Sequence, residues 1–198
     1  MAPFVHETAV VDRGATVGEG AQVWHFVHVS KGAHIGPGVV LGQNVFVGEG
    51  VSIGAGTRVQ NNVSLFAGVS VDQEVFLGPS CVFTNVRTPR AAYPRKPNFQ
   101  RTHVERGVTV GANATVLGGH RLGAYAFVAA GAVVTADVAP HVLVVGTPAR
   151  PQGFVCRCGE RLRDSLGPEA DGAGPGHWGC QECGLHYGLN SNGECQLC

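Results

Sequence analysis

The 198-residue chain carries 14 Lys and Arg against 14 Asp and Glu, so its formal net charge is zero, which gives no general electrostatic case for nucleic-acid or membrane-surface binding. Thirty Gly and only 7% aromatic residues would suit a low-complexity segment, but the 44% hydrophobic fraction, rich in Val, can fill a core and excludes disorder as the expectation. The start, Met-Ala-Pro-Phe-Val-His, lacks the basic residues and apolar run of a signal peptide, and no apolar stretch reaches the roughly 18 residues needed to span a bilayer; a cytoplasmic protein without membrane insertion is expected.

From Val5 the chain repeats every six residues: Val5, Val11, Val17, Val23, Val29, Ile35, Leu41, Val47, Ile53, Val59, Leu65, Val71, Leu77 and Phe83 are all large and apolar. The position four further on (Ala9, Ala15, Ala21, Val27, Ala33 and onward to Cys81) is consistently small. Neither the 3.6-residue period of a helix nor the alternation of a strand produces this pattern. One large and one small inward residue per six, with Gly at the corners, predicts short strands joined by turns. Three such units close a triangular coil, and stacked coils bury a continuous apolar column. An all-β fold, a parallel β-helix over residues 1–152, is therefore expected.

The register fails after Asn85 and is found again at Val110, Val116, Leu122, Val128 and Val134, displaced by three residues. Residues 86–106, with Pro89, Pro94 and Pro97, read as an excursion from the solenoid, and a long irregular loop in a compact repeat fold usually carries function. The stretch holds Arg87, Arg90, Arg95, Lys96, Arg101 and Arg106. Guanidinium forks pair well with phosphates, so Arg95 and Lys96 are candidate contacts to a phosphorylated substrate.

With 18 residues per coil, Gln43 should stack over Asn61 and Asn44 over Asn62, with His25 one coil below Gln43. Lys31, Glu49, Ala67 and Asn85 should form a ladder ending at the mouth of the loop. Corner Asn residues are often structural, because Asn tolerates the left-handed region; that applies to Asn44 and Asn62 as much as a substrate role does. Gln43, Asn61 and Lys31 are substrate-binding candidates, and Asn85 is the foremost catalytic one. Cys81 lies on the small inward ladder and is expected to be buried and inert.

The segments Val23-Trp24-His25-Phe26-Val27-His28, Leu41-Gly42-Gln43-Asn44-Val45-Phe46-Val47, Gln60-Asn61-Asn62-Val63-Ser64, Gly78-Pro79-Ser80-Cys81-Val82-Phe83-Thr84-Asn85-Val86 and Val144-Val145-Gly146-Thr147-Pro148-Ala149-Arg150 resemble the hexapeptide-repeat N-acetyltransferases of nucleotide-linked 3-amino-sugar uronates. Those enzymes act on UDP-2-acetamido-3-amino-2,3-dideoxy-D-glucuronate on a route to surface polysaccharide. The resemblance covers roughly residues 5 to 155. It implies a left-handed coil, acetyl-CoA as co-substrate, and a homotrimer with active sites between neighbouring solenoids. It also implies that Asn85 orients the sugar amine or the thioester carbonyl, with the loop closing over the nucleotide and the pantetheine arm.

Amide formation from a thioester needs a neutral amine, correct aim, and stabilisation of a tetrahedral oxyanion. A sugar amine beside electron-withdrawing groups is partly neutral near pH 7, so a strong protein base is dispensable; His25, His28 and His103 are bases by residue type only. Backbone N–H groups at Gly111, Ala112 or Ala130 are candidates for the pantetheine amides and the oxyanion, and Arg150 for a CoA phosphate.

Beyond Pro151 the repeat ends. Residues 153–198 contain Cys156-Arg157-Cys158-Gly159 and Cys180-Gln181-Glu182-Cys183-Gly184, two close pairs each followed by Gly, like the knuckles of a zinc ribbon. Four thiolates suit a tetrahedral Zn²⁺ of structural type, although the first pair has one spacer rather than two. Cys195 and Cys198 form a third pair without a matching partner.

Three other functions compete. A zinc carbonic anhydrase on the same solenoid would need two His five residues apart, which the chain lacks. A non-catalytic binding or assembly module would leave the basic loop and the Asn ladders unexplained. An N-acetyltransferase of a 4-amino sugar is the nearest rival.

Overall fold

A computed structural model describes residues 1–94, 98–162 and 177–198. Among these the only regular elements are β-strands, mostly two residues long. The chain winds as a parallel β-solenoid with three sheets. The first runs from Phe4–Val5 to Val142–Val145, the second from Val10–Val11 to Val133–Val134, and the third from Thr16–Val17 to Arg121–Leu122. Phe4 pairs with Gln22, Gln22 with Val40, Val40 with Arg58 and Arg58 with Phe76. The coil is therefore 18 residues, as the hexad requires.

The inward columns form the core. Val23, Val29, Leu41, Val47, Leu65, Leu77, Val104, Val110, Val116, Leu122 and Val128 are fully buried, each contributing about 1.5–3 kcal/mol from apolar burial. Val5 is exposed and Val11 and Val17 half-buried, because they lie in the terminal coil of the stack. A polar break in the small column, Thr57, donates to the Asp72 carbonyl at 2.9 Å and accepts the Val75 N–H at 3.1 Å, so its burial leaves no unpaired hydroxyl. The Gly that follows many large residues has a steric cause. A Cβ on Gly54 would lie 2.4 Å from the main chain of Asp72 and Gln73.

The break in register has a simple origin. Val69 pairs with Thr102, 33 residues on, which is 15 more than one coil. Fifteen residues are two hexads and a remainder of three, which accounts for the displaced repeat. Asn85 still stacks on Ala67, donating to its carbonyl at 3.0 Å, so the extra residues are 86–100. The excursion thus ends earlier than residue 106. Thr102–Val104 is already a strand of the third sheet, because Val104 obeys the same six-residue step as Val110. Arg106 is likewise outside the loop: its Nε donates to Glu74 at 2.8 Å on the corner between the third and first sheets.

After the last coil the chain reverses. Arg150–Val155 adds antiparallel to Val142–Val145, and Arg161–Leu162 adds antiparallel to that. Cys156 and Cys158 are thereby carried on an extension of the first sheet, while His177–Gly179, His186–Leu189 and Cys195–Leu197 form a separate antiparallel sheet. No helix of the described residues is long and apolar enough to cross a membrane.

Candidate functional site

The root of the loop sits on the corner between the second and third sheets. Thr84 and Asn85 continue from the strand Val82–Phe83, and the Gln100 N–H donates to the Asn85 carbonyl at 2.8 Å, closing the excursion. One coil further on, the Gly118 N–H donates to Thr84 Oγ1 at 3.0 Å and the Gly119 N–H to Thr102 Oγ1 at 3.3 Å. A cavity of about 380 Å³ opens here, lined by Thr84, Val86, Arg87, Gln100, Leu117, His120 and Thr135 among others. Gly118 is required by close approach, since a Cβ there would stand 2.6 Å from the Thr84 carbonyl oxygen and 3.1 Å from Asn85 Cα. Gly118→Ala is expected to cost about 1–3 kcal/mol through overpacking and to loosen the loop root. A lowered thermal midpoint together with faster amide exchange at Gln100 would show it; an unchanged midpoint would remove this tight contact from the account.

His120 belongs to the cavity and was not among the residues singled out from sequence. Its Nδ1 lies 3.3 Å from Asp137 Oδ1, which also accepts the Arg121 N–H at 2.9 Å. The signal was present in the repeat. Position 120 falls on the small column with Thr102, Val108, Ala114, Ala126 and Ala132. An imidazole is too large for that slot and polar besides, so it must turn outward at the corner.

The other candidates lie elsewhere on the prism. Gln43 and Asn61 stack as expected on the corner between the first and second sheets, where the Gln43 N–H donates to Asn61 Oδ1 at 2.9 Å. With Trp24 and His25 they line a second cleft of about 300 Å³. Asn44 and Asn62 have φ of 60° and 62° and are joined by a side-chain bond of 3.1 Å, which accounts for Asn at both positions on structural grounds. Further along this corner the Gly111 N–H is committed to the Val128 carbonyl at 2.8 Å, whereas those of Ala112 and Ala130 meet no main-chain carbonyl among the described residues. Lys31 is on the Asn85 ladder, paired with Glu49 at 3.4 Å. Arg150 is exposed, its Nη1 donating to the Ala149 carbonyl. Arg95 and Lys96 lie outside the described residues. Cys81 is buried, and that burial pushes its thiol up to about 12, which keeps it protonated and inert.

The sulfur atoms of Cys156, Cys158, Cys180 and Cys183 all lie within 4.8 Å of one another, the four residues expected from the spacing. Both following glycines have positive φ, 96° at Gly159 and 71° at Gly184. The turns direct main-chain N–H groups at sulfur, and that of Cys183 is the main cause lowering the Cys180 thiol to about 7. Tyr187, fully buried, places its hydroxyl 3.1 Å from Cys156 Sγ and accepts the Arg157 N–H at 3.0 Å. Its ring meets His141, which stacks on Tyr125 of the last coils; burial holds the His141 imidazole below its ordinary range. The cysteine knob is thus packed against the solenoid through aromatic rings.

Comparison with known proteins agrees with the geometry. Residues 14–49 match the bacterial transferase hexapeptide (six repeats) model, and residues 32–73 and 101–136 match the hexapeptide repeat of succinyl-transferase. The second match resumes where the third sheet is re-entered. Over residues 14–73 and 101–136 the chain thus carries the repeat of the hexapeptide transferase family.

The chain is 44% identical over 66 residues to the dTDP-3-amino-3,6-dideoxy-alpha-D-galactopyranose 3-N-acetyltransferase of Aneurinibacillus thermoaerophilus, a segment covering 33% of this chain and 34% of that enzyme. It is 54% identical over 54 residues to the 2,3,4,5-tetrahydropyridine-2,6-dicarboxylate N-acetyltransferase of Brevibacillus brevis, covering 27% of this chain and 23% of the relative. The matches thus span about a third or less of these relatives. Among solved structures, a hexapeptide-repeat acetyltransferase of Vibrio cholerae O1 biovar eltor, complexed with acetyl-coenzyme A, superposes with a TM-score of 0.54 at 28% identity, covering 62% of this chain and 70% of that one.

Proposed function

We propose that this hexapeptide-repeat protein is an acetyl-CoA-dependent N-acetyltransferase acting on a nucleotide-linked amino sugar, with the 3-amine of a UDP-amino-sugar uronate as the specific target. The observation that carries the reading is the cleft at the root of the loop 86–100, in a chain whose relative from Aneurinibacillus acts on a nucleotide-linked 3-amino sugar. The acetyl-CoA complex of the Vibrio neighbour supports the co-substrate.

The two corners bear different halves of the chemistry. The loop corner offers Thr84, Gln100 and His120 on the cavity wall, with Asn85 at the root of an excursion whose described residues include Arg87 and Arg90. The other corner offers the Trp24–Gln43–Asn61 cleft and, further along, the N–H groups of Ala112 and Ala130, which meet no main-chain carbonyl among the described residues. A convex prism cannot bring two of its own edges together. A homotrimer, in which the loop of one copy reaches the neighbouring edge of the next, brings the two halves into one cleft. Asn85 then aims the amine at the thioester carbonyl, the two Ala N–H groups hold the pantetheine amides and the developing oxyanion, and Arg150 meets a CoA phosphate.

The cysteine knob fits a structural Zn²⁺. Zn–S bonds of about 2.3 Å give tetrahedron edges of roughly 3.8 Å, close to the spacing of the four sulfurs. Cys156, Cys158, Cys180 and Cys183 would hold the ion, whose part is to fix the fold of the knob.

The test is release of free CoA thiol from acetyl-CoA with a panel of amines: UDP-linked 3-amino and 4-amino sugars, a dTDP-linked 3-amino sugar, and tetrahydrodipicolinate. Turnover is expected to be fastest with the UDP-3-amino uronate. A preference for the dicarboxylate would overturn the sugar assignment. Silence across the panel from intact trimers would favour a binding module.

A further inference from the structure

Cys195 and Cys198 are spaced like a ligand pair, but the structure splits them. The antiparallel sheet of the knob sets His177 opposite Gly188, Gly179 opposite His186, and Gly188 opposite Gln196. The Cys198 N–H donates to the His186 carbonyl at 2.9 Å, so the ladder continues to that residue. Opposed residues of such a sheet share a face, and successive residues alternate between faces. Cys195 therefore falls on the inner face with Trp178, Tyr187 and Leu197, in the core beside the four-cysteine cluster. Cys198 falls on the outer face with His177, His186 and Gln196, all exposed.

Two glycines open that outer face. Adjacent strands carry the same kind of triplet, His177-Trp178-Gly179 and His186-Tyr187-Gly188, in antiparallel register, so each imidazole lies across a glycine of the other strand. A Cβ on Gly188 would stand 3.0 Å from Cys198 Sγ and 3.3 Å from His177 Nε2. One on Gly179 would stand 3.6 Å from His186 Nδ1. Neither glycine has a φ in the left-handed region, so the backbone conformation does not require glycine at either place. Glycine inside a strand weakens it and marks a point of close approach. Here what approaches is a thiol and an imidazole, reaching one spot above Gly188 from the strands on either side of it.

We infer that His177 and Cys198, joined by His186, form a second metal site on the outer face of the knob, for a borderline divalent cation of the Zn²⁺ class. One thiolate and two imidazoles suit such a metal, whereas Ca²⁺ and Mg²⁺ take oxygen ligands. Two donors already meet over Gly188, and the exposed His186 ring swings in from Gly179 to complete the set. On binding, the Cys198 thiol proton passes to solvent, and no electron is exchanged. The ion ties the two outer strands of the sheet together across the middle one. The site is separate from the cluster of Cys156, Cys158, Cys180 and Cys183, which lies on the side of the inner face, where Tyr187 reaches Cys156. One thiolate in place of four, on an exposed face, makes it the weaker of the two. Dialysed protein therefore keeps one zinc per chain, and the second is taken up only when metal is supplied. The inference is independent of the acetyltransferase reading.

The test uses the full chain, reduced, loaded with one equivalent of Zn²⁺ and titrated with Co²⁺ as a spectroscopic stand-in, with retained zinc measured afterwards. Wild type is expected to take up one cobalt per chain with a thiolate-to-cobalt charge-transfer absorption, while its zinc stays bound. Cys198→Ser should abolish that absorption. His177→Gln and His186→Gln should each weaken uptake by about tenfold or more, at least the usual cost of losing a group that merely supports a ligand. Gly188→Ala should weaken it too, because the added methyl parts the thiol from the His177 ring. In each variant the retained zinc and the Trp178 emission should be unchanged. Should Gly188→Ala fail to fold, Cys198→Ser decides the question, since it changes a single atom of an exposed side chain. Three results would overturn the inference: no cobalt absorption in wild type, the same absorption at the same affinity in Cys198→Ser, or cobalt bound without a thiolate band.

Discussion

Removing metal from the cysteine knob is expected to unfold the knob while leaving the solenoid in place. The cluster around the four sulfurs contains Cys156, Leu162, Cys180, Tyr187 and Cys195 as its buried members, with Phe154, Trp178, Leu185 and Leu197 packed at its edge. So small a core cannot offset the entropy of ordering its own chain. The free energy of structural zinc binding, about 10–16 kcal/mol in small zinc modules, is then folding free energy for this segment. The solenoid has an independent and much larger apolar column running from Ala21 to Val144. Trp178 packs on Phe154 with ring centroids 5.0 Å apart, so its fluorescence reports the knob once Trp24 is replaced by Phe. Chelator should shift that emission to a solvent-exposed position and abolish the near-ultraviolet signal of Tyr187, with far-ultraviolet dichroism of the strands nearly unchanged. Metal analysis should find one zinc per chain. Protein prepared without chelator that contains no metal, yet keeps its Trp178 signal, would sink the assignment.

The features legible in the sequence are those set by local spacing. The six-residue step from Val5 to Phe83 determines the coil length because each inward slot admits one size class of side chain, and a miss at any step would expose a core residue. The cysteine knuckles were legible for the same reason: each pair spans one turn, and Gly159 and Gly184 supply the positive φ that the turn demands. What escaped depends on relations between coils. The end of the excursion was placed too late because Val104, although one six-residue step before Val110, is a lone apolar residue among polar neighbours, and its strand is plain only from its pairing with Val71 one coil below. Arg106 looked like part of a basic loop until its pairing with Glu74 placed it on another corner. His120 was hidden because its partner Asp137 is 17 residues away, nearly a whole coil. Tyr187, whose hydroxyl touches Cys156, is 31 residues from it and had no local signature. The 18-residue coil already set Gln43 over Asn61 and Asn85 on a separate ladder, and the structure keeps the two ladders on different edges.

Asn85→Ala is expected to lower kcat/KM by about 100-fold or more while the solenoid stays folded. The side chain holds the point where the excursion leaves the coil: Nδ2 donates to the Ala67 carbonyl at 3.0 Å, and the Asn85 main-chain carbonyl receives Gln100 from the returning strand. Truncation removes the first bond and leaves the second. Because the site is half-buried, water can reach the Ala67 carbonyl, so the cost in stability is only about 1 kcal/mol. The cost in rate is larger, because a shift of about 1 Å in a group that aims the reacting amine can cost about 100-fold. Asn85→Asp separates the two roles. It keeps the shape but places a carboxylate oxygen against the Ala67 carbonyl, so the donor is lost and a repulsion is added. If Asn85 acts by anchoring the loop root, Asp should be as damaging as Ala, and both should speed amide exchange at Gln100. If it acts by its own contact with substrate, Asp should retain part of the rate wherever an acceptor toward the amine suffices. Near-normal kcat/KM in Asn85→Ala, with an unchanged thermal midpoint, would remove the residue from both roles and leave the cavity wall of Thr84, Gln100 and His120 to position the amine.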